Sequence, residues 1–278
     1  MLDVDRWPEL RDPVMVLALT GWVDAGSAGA GAVAAMLEQV ASGRRFARLD
    51  LHDLADLQQT RPTVRLLDGV TRTIEWPSID FVAGNLGRDV VVCVGPEPSI
   101  RWRETTATIV DVAQRLGVQL VLGLGGIPMP VSHHQPVGVL LTATSDTMLQ
   151  TAGVDTRPDY TGPTGLQTVV QFALGAAGIP AYGIWAQVPH YVSGSPSPPA
   201  IRALLASARE LGGLSIDLDA LDEQSKVYAN RVDESLQERP DVRALVEALD
   251  AAGPGSAPDA PTGDELVAEI ERFLRDQP

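Results

Sequence analysis

Short apolar runs that end at glycine or proline alternate, over the first 213 residues, with longer segments whose apolar positions recur every three or four residues. The continuous runs predict strands buried on both faces of a sheet, and the longer segments predict helices. The predicted strands are 14–19, 46–51, 89–94, 118–124, 137–144 and 181–188, and the predicted helices are 27–40, 100–116, 166–177 and 200–211. This alternation predicts a mostly parallel or mixed sheet sandwiched between helices.

Two segments carry additional local signals. The helix predicted at 27–40 has small residues on nearly every face, so it can approach its neighbours closely. Residues 64–76 contain Asp68-Gly69 between two β-prone runs, which predicts a hairpin with a type I′ turn. We expect this hairpin to be the antiparallel part of the sheet.

The C-terminal part of the sequence has a different, mainly helical pattern. Spacings of three and four over 218–236 predict an amphipathic helix or a short coiled-coil seam, and a shorter helix follows Pro240. We therefore predict an α/β core domain at 1–213, a helical extension at 214–250, a flexible linker at 251–262 and a C-terminal helix at 263–278. The pattern leaves open whether the last helix packs on its own core or on a neighbouring subunit.

The charge balance excludes several classes of function. The 278 residues include 36 acidic and 21 basic residues, a net charge of −15, and Lys226 is the only lysine. A negative surface repels phosphate backbones, which argues against a nucleic-acid partner. Without a lysine after a glycine-rich loop there is no Walker A motif, and a Schiff base could use only Lys226.

Cysteine use and hydropathy indicate the compartment. Cys93 is the only cysteine and lies in an apolar run, which predicts a buried strand residue and excludes a disulfide framework. No apolar stretch reaches the roughly 18 residues of a membrane span, and an acidic N-terminal segment is unlike a signal peptide. We expect a cytoplasmic protein with no membrane association.

The candidate site lies where the predicted strands end. In open α/β sheets ligands bind beyond the carboxyl ends of the strands, and segments 21–26, 95–103, 123–130 and 189–191 fall there. The ligand or interface candidates in these segments are Trp22, Asp24, Glu97, Arg101, Trp102, His190 and Tyr191. They fit either a small-ligand rim or a subunit interface, where Trp and Arg are enriched, and the sequence leaves both readings open.

Sharper catalytic and metal motifs are not supported. The G-x-G-x-x-A string at 29–34 lies inside a predicted helix instead of at its start, and the serine-elbow-like string at 25–29 does not directly follow its strand. His133 and His134 are adjacent, so on an extended segment they would point to opposite sides. We therefore assign no catalytic residue, no metal ligand and no cofactor.

The order of these segments resembles the proteasome assembly chaperone 2 family. The resemblance is carried by 21–29, 95–98 with Arg101 and Trp102, 123–128, and 188–191 with Pro196 and Pro199, within roughly residues 10–215. The scarcity of lysine beside abundant Ala, Gly and Arg suggests an actinobacterial branch. The resemblance implies a three-layer αβα fold like that of phosphorylases and peptidyl hydrolases, and a non-catalytic role with proteasome α-subunits as partners. In archaeal members a C-terminal hydrophobic–tyrosine–any-residue tail docks into the α-ring, and 273–278 contain no tyrosine.

Our leading hypothesis is a non-enzymatic, self-associating protein-binding module. The alternative is a small-molecule hydrolase or phosphorylase-like enzyme, which requires Asp24, Glu97, Arg101 and His190 to converge in one pocket. A nucleotide-binding regulator is a third possibility. The sequence leaves the oligomer number, the partner and the presence of a small ligand open.

Overall fold

A mixed eight-stranded sheet forms the centre of the computed structural model, which describes residues 2–153 and 159–253. The strands of this part of the chain are β1 (Leu2–Val4), β2 (Val14–Thr20), β3 (Ala41–Asp50), β4 (Thr63–Leu67), β5 (Val70–Glu75), β6 (Ser78–Asn85), β7 (Asp89–Pro96), β8 (Leu120–Met129), β9 (Val139–Ala143) and β10 (Ala181–Pro189). The order in the large sheet is β1-β3-β6-β7-β2-β8-β10-β9, and β4 and β5 form a separate two-stranded sheet.

Helices cover both faces of the large sheet. They are α1 (Ala28–Leu37), α2 (Trp102–Arg115), α3 (Asp146–Thr151), α4 (Leu166–Ala176), α5 (Pro198–Gly212), α6 (Asp219–Leu236) and α7 (Pro240–Ala252). Helices α1 and α5 share one apolar core with the sheet, and α2 and α4 share a second core on the opposite face. The fold is therefore a three-layer αβα sandwich, as expected.

Four parallel strands at the centre of the sheet position the loops of the candidate site. Strand β2 runs parallel to β7 and β8, and β10 runs parallel to β8. Residues 14–19 of β2 are all buried because both faces of the strand are covered. The continuous apolar runs correctly predicted these strands, and Cys93 lies fully buried in β7. Because the four strands are parallel, the loops that follow them meet at one edge of the sheet.

The antiparallel part of the sheet differs from the expectation. Residues 64–76 do form a hairpin, and Asp68 and Gly69 both have positive φ, as a type I′ turn requires. The expectation that this hairpin belongs to the main sheet is wrong, since β4 and β5 pair only with each other among the described strands. The antiparallel strands of the main sheet are β1, β3, β6 and β9. Strand β6 was not predicted because its buried residues alternate with half-buried ones and form no continuous run.

The helical extension is attached to the core by two apolar contacts. Leu218 and Leu221, at the start of α6, are buried in the core that α1 and α5 share. Further along, Val232, Leu236, Val242 and Val246 of α6 and α7 form a separate small cluster, against which Tyr191, Val192 and Tyr228 pack. Most of the predicted linker and the whole predicted C-terminal helix lie outside the described residues, and the division into domains stays a prediction. No helix of the described chain has the length and apolar content to cross a membrane.

Small residues allow helix α1 and the loop before it to pack closely against β8. A Cβ atom at Gly29 would lie 2.5 Å from the carbonyl oxygen of Leu124 on β8 and 3.1 Å from Oδ1 of Asp24. At Gly126 a Cβ atom would lie 2.2 Å from the carbonyl oxygen of Ala25. Glycine is therefore required for packing at position 29 of the helix and at position 126 of β8, and the first of these agrees with the small-residue composition of the helix.

We expect Gly29→Ala to destabilise the protein although alanine is the better helix former. The new methyl group would meet backbone atoms of β8, which cannot move as a flexible side chain can, and overpacking of this kind costs about 1–3 kcal/mol. Gly194→Ala is the control, because no atom of the described residues lies within 4 Å of a Cβ atom there. Urea unfolding measures both variants, and a Gly29→Ala variant as stable as the wild type would contradict the close approach.

Candidate functional site

A cleft of about 1730 Å³ lies at the edge of the sheet where β2, β7, β8 and β10 end. Five of the seven candidate residues line it: Trp22, Asp24, Glu97, Trp102 and His190. Parts of α4 and the segment before it form the opposite wall. The lining also includes Asp56, Asp159, Tyr160 and Phe172.

Asp24 completes the N-terminus of α1. Its Oδ1 accepts a hydrogen bond from the backbone N–H of Gly29 at 2.7 Å and a longer one from that of Ala30 at 3.4 Å. An aspartate here satisfies amides that have no partner inside the helix and faces the positive end of the helix dipole. Burial raises the pKa of Asp24, and the two amide hydrogen bonds partly oppose this shift.

Glu97 joins three segments at the same edge of the sheet. Its Oε1 accepts a hydrogen bond at 3.0 Å from the backbone N–H of Leu166, the first residue of α4. The carboxylate also accepts a hydrogen bond from the backbone N–H of Trp22, and the N–H of Glu97 donates to the carbonyl of Thr20 at 2.8 Å. Burial raises the pKa of Glu97, while the two amides lower it. This carboxylate therefore connects the loops after β2 and β7 to the N-terminus of α4.

Aromatic side chains supply much of the apolar surface of the cleft. Trp22 is 44% exposed, and Phe172 of α4, which was not among the candidates, is 80% exposed. Trp102 is held in place by its indole N–H, which donates to the carbonyl of Pro98 at 2.6 Å. The sequence contained a signal for Phe172, because it lies outside the buried stripe that Leu166 and Val170 define on α4.

Arg101 and Tyr191 do not line the cleft. Arg101 has a left-handed backbone conformation before α2, and its guanidinium pairs with Glu104 beside a smaller depression that His52 and Asp53 also line. Tyr191 packs against the helical extension, and its hydroxyl lies 2.7 Å from Nδ1 of His133, which belongs to the turn after β8. Burial raises the pKa of Tyr191 to about 12, so its hydroxyl stays protonated at neutral pH.

The three titratable candidates in the cleft do not form a catalytic constellation with one another. No hydrogen bond or ion pair joins Asp24, Glu97 and His190 within the described chain, and the nearest partner of the His190 ring is the carbonyl oxygen of Met129, 3.3 Å from Nδ1. Four carboxylates line the cleft: Asp24, Asp56, Glu97 and Asp159. Its described lining contains no arginine or lysine, so the cleft presents negative charge and apolar surface together.

His133 and His134 lie side by side, and the expectation that they point to opposite sides is wrong. They occupy the two central positions of a turn closed by the N–H of Gln135, which donates to the carbonyl of Ser132 at 3.2 Å. The two ring centroids are 4.0 Å apart. In both rings Nε2 faces Oδ1 of Asp233 on α6, at 3.1 Å from His133 and 2.9 Å from His134. The earlier expectation assumed an extended segment, and the turn removes that assumption.

The fold and the cleft define a three-layer α/β protein whose candidate site is built from the loops that follow its central parallel strands. The chain belongs to the PAC2 family, whose family model matches residues 18–236. It is 38% identical to a PAC2 family protein from Streptomyces avermitilis, with a TM-score of 0.77 over 84% of this chain and 100% of that one. It is 34% identical to a proteasome-assembly chaperone homologue of Mycobacterium tuberculosis, with a TM-score of 0.76 over 84% of this chain and 99% of that one.

The similarity in fold to a third solved structure includes the helical extension. A protein of unknown function from Corynebacterium glutamicum, 24% identical, has a TM-score of 0.82 over 98% of this chain and 99% of that one. A comparison with curated proteins gives no match. The family assigns the fold, and the function has to be argued from the site.

We expect Glu97→Ala to destabilise the protein by about 1–3 kcal/mol, because the amides of Leu166 and Trp22 would lose their acceptor at a partly buried position. Glu97→Gln keeps one acceptor oxygen, so a smaller loss is expected. Glu9→Gln, on an exposed carboxylate, is the control. Equal stabilities for the Ala and Gln variants, measured by urea unfolding, would contradict the bridging role.

The raised pKa of Glu97 predicts a specific pH dependence. A carboxyl whose pKa is higher in the folded than in the unfolded state stabilises the fold most when it is protonated, so its contribution is lost as pH rises through the folded value. The free energy of unfolding of the wild type, minus that of Glu97→Gln, should therefore increase as pH falls from 7 towards about 4.3, the usual value for glutamate. A difference that stays constant or decreases over this range would contradict the assignment.

Proposed function

We propose that this protein is a non-enzymatic, self-associating protein-binding module of the proteasome-assembly-chaperone type that acts in the cytoplasm. The observation that carries the proposal is the cleft, in which exposed aromatic side chains surround carboxylates already engaged by backbone amides. Asp24 and Glu97 act as acceptors for helix N-termini. Their hydrogen bonds account for their position without any reaction.

The size and character of the cleft favour a polypeptide ligand. Pockets for small molecules usually enclose about 300–1,000 Å³, and this cleft encloses about 1730 Å³. Exposed Trp22 and Phe172 are side chains of the kind that anchor protein interfaces. The four carboxylates add a preference for positive charge. We infer that the ligand is a segment of a partner protein with apolar and basic residues.

Proteasome α-subunits are the partner that we propose for this cleft. The support is membership of the PAC2 family together with the 34% identical relative in Mycobacterium tuberculosis, which is described as a proteasome-assembly chaperone homologue. The matched region includes every element that lines the cleft, since it spans residues 18–236.

The hairpin of β4 and β5 is the element that we propose for self-association. Val64, Leu66, Leu67, Val70, Ile74 and Trp76 are all about half exposed there. A two-stranded hairpin that pairs with no other strand is at most marginally stable in water. Contact with a second copy of the chain would cover its apolar side chains and stabilise it.

An enzyme remains the second candidate because of one observation. Burial raises the pKa of both Asp24 and Glu97, and raised carboxyl pKa values in one cleft are typical of general acids. Arg101, which the hydrolase or phosphorylase-like reading also requires, lies outside the cleft. A nucleotide ligand fits less well, since the carboxylates would repel its phosphates.

Self-association predicts a mass that is a multiple of 29.5 kDa in light scattering at tens of micromolar. Replacing Leu66 and Ile74 together with serine should weaken association at least tenfold, because the contact loses two apolar side chains. The matched control replaces Thr71 and Thr73 of the same hairpin with serine. A wild-type monomer at these concentrations would contradict self-association.

Binding to proteasome α-subunits can be tested by capture on the immobilised full-length chain. We expect the wild type to retain α-subunits of its own organism, and the double variant Trp22→Ala/Phe172→Ala to lose at least tenfold in affinity. Val227→Ala, on an exposed apolar residue of α6 away from the cleft, should bind as the wild type does. Binding should also weaken as salt is raised, because the cleft is acidic. Failure of the wild type to retain α-subunits would contradict this partner and leave self-association to be judged separately.

A further inference from the structure

Four charged or titratable side chains converge where the helical extension meets the turn after β8. They are His133 and His134 of the turn, Asp233 of α6 and Asp250 of α7, and we call them the His–Asp cluster. Nε2 of both rings faces Oδ1 of Asp233, at 3.1 and 2.9 Å, while Nδ1 of His134 lies 2.7 Å from Oδ2 of Asp250. The cluster lies outside the cleft, and the proposed function does not use it.

The hydrogen bonds around the cluster give each imidazole ring an oxygen partner at Nδ1. Asp250 accepts from Nδ1 of His134 and from the hydroxyl of Ser132, and that hydroxyl also hydrogen-bonds Tyr191. The Tyr191 oxygen in turn lies 2.7 Å from Nδ1 of His133. Both rings therefore have an oxygen atom within hydrogen-bond distance of Nδ1, so each histidine can carry its proton on Nδ1 and leave the lone pair of Nε2 for a metal ion.

With both protons on Nδ1, three lone pairs face one another. They belong to Nε2 of His133, Nε2 of His134 and Oδ1 of Asp233, and these atoms all lie within 4.8 Å of one another. Without a metal ion, a proton on Nε2 of either ring would be donated to Asp233, and metal binding would displace that proton. We propose that the His–Asp cluster is a binding site for a divalent transition-metal ion of the zinc class, with His133, His134 and Asp233 as ligands.

The chemistry of the donors favours zinc over calcium or magnesium. Two imidazole nitrogens and one carboxylate oxygen suit Zn²⁺, whereas Ca²⁺ and Mg²⁺ prefer oxygen ligands throughout. Tetrahedral zinc bonds of about 2.0–2.2 Å place neighbouring ligand atoms roughly 3.3–3.6 Å apart, so the distances of 3.1 and 2.9 Å from the two Nε2 atoms to Oδ1 of Asp233 would lengthen by roughly 0.2–0.7 Å. Hydrogen bonds from the non-ligating nitrogens to a carboxylate and to another oxygen are the usual support for zinc-bound histidines.

The burial of the cluster leaves room for a further ligand. The His133 side chain is fully buried, whereas those of His134 and Asp233 are partly exposed. A water molecule can therefore complete the coordination from the solvent side. Because the ligands come from the turn after β8 and from α6, the metal would fasten the helical extension to the core. Asp250 acts as a positioning residue through His134.

The test uses the full-length chain without a histidine tag. We expect calorimetry to show one Zn²⁺ per chain with micromolar or tighter affinity, and Co²⁺ to give visible absorption bands of an imidazole-ligated site. Zinc at 100 times its dissociation constant should raise the melting temperature by roughly 5 °C, because it binds only the folded state. In ¹⁵N-histidine spectra, zinc should shift the Nε2 resonances of two of the four histidines.

Substitutions in the His–Asp cluster test whether the zinc ion binds there. Asp233→Asn and His134→Ala should each weaken zinc binding at least 30-fold, and Asp250→Asn, which removes a supporting carboxylate, about 10–100-fold. His52→Ala, on an exposed histidine elsewhere, should bind within twofold of the wild type. Affinity and spectra remain measurable even if a variant is less stable, provided that circular dichroism shows it folded. Absence of binding at 100 µM zinc, or equal binding by Asp233→Asn and the wild type, would overturn the proposal.

Discussion

The edge of the sheet depends on the satisfaction of helix N-termini by buried carboxylates. The first amides of α1 and α4 have no partner within their helices, and both helices begin at the carboxyl edge of the parallel strands. Asp24 accepts from α1, and Glu97 accepts from α4 and from the loop after β2. The aspartate belongs to the loop that it stabilises, and the glutamate ties the loops after β2 and β7 together. These two carboxylates therefore hold together the loops and helix N-termini at this end of the cleft.

Most strands of the sheet could be predicted from the sequence because the burial of a strand determines its pattern of apolar residues. Strands covered on both faces read as continuous apolar runs, which is why β2, β7, β8 and β10 could be predicted. Strand β6 lies towards the edge and reads as an alternation, so a search for continuous runs passes over it. The hairpin turn followed from Asp68-Gly69, but a turn fixes only its own two strands. Whether those strands join the main sheet depends on pairings distant in sequence.

The candidate site was predictable to the extent that parallel strands bring their carboxyl ends together. That rule placed Trp22, Asp24, Glu97, Trp102 and His190 in one cleft. It could not give the direction of a side chain, which depends on local backbone conformation. Arg101 has a left-handed backbone conformation and pairs with Glu104 outside the cleft, and Tyr191 packs against the helical extension. The neighbouring rings of His133 and His134 likewise follow from a turn that no periodicity indicates.

The segment after β10 links the cleft, the helical extension and the cap of α1. His190 lines the cleft, and the next residue, Tyr191, packs against the helical extension and approaches His133. Two residues further on, the carbonyl of Ser193 accepts a hydrogen bond from Gly26 at 2.7 Å, in the loop that Asp24 ties to α1. Movement of this short segment would alter all three contacts together. A ligand that displaced His190 would therefore also disturb the packing of Tyr191 against the helical extension, since neighbouring residues of one turn cannot shift independently.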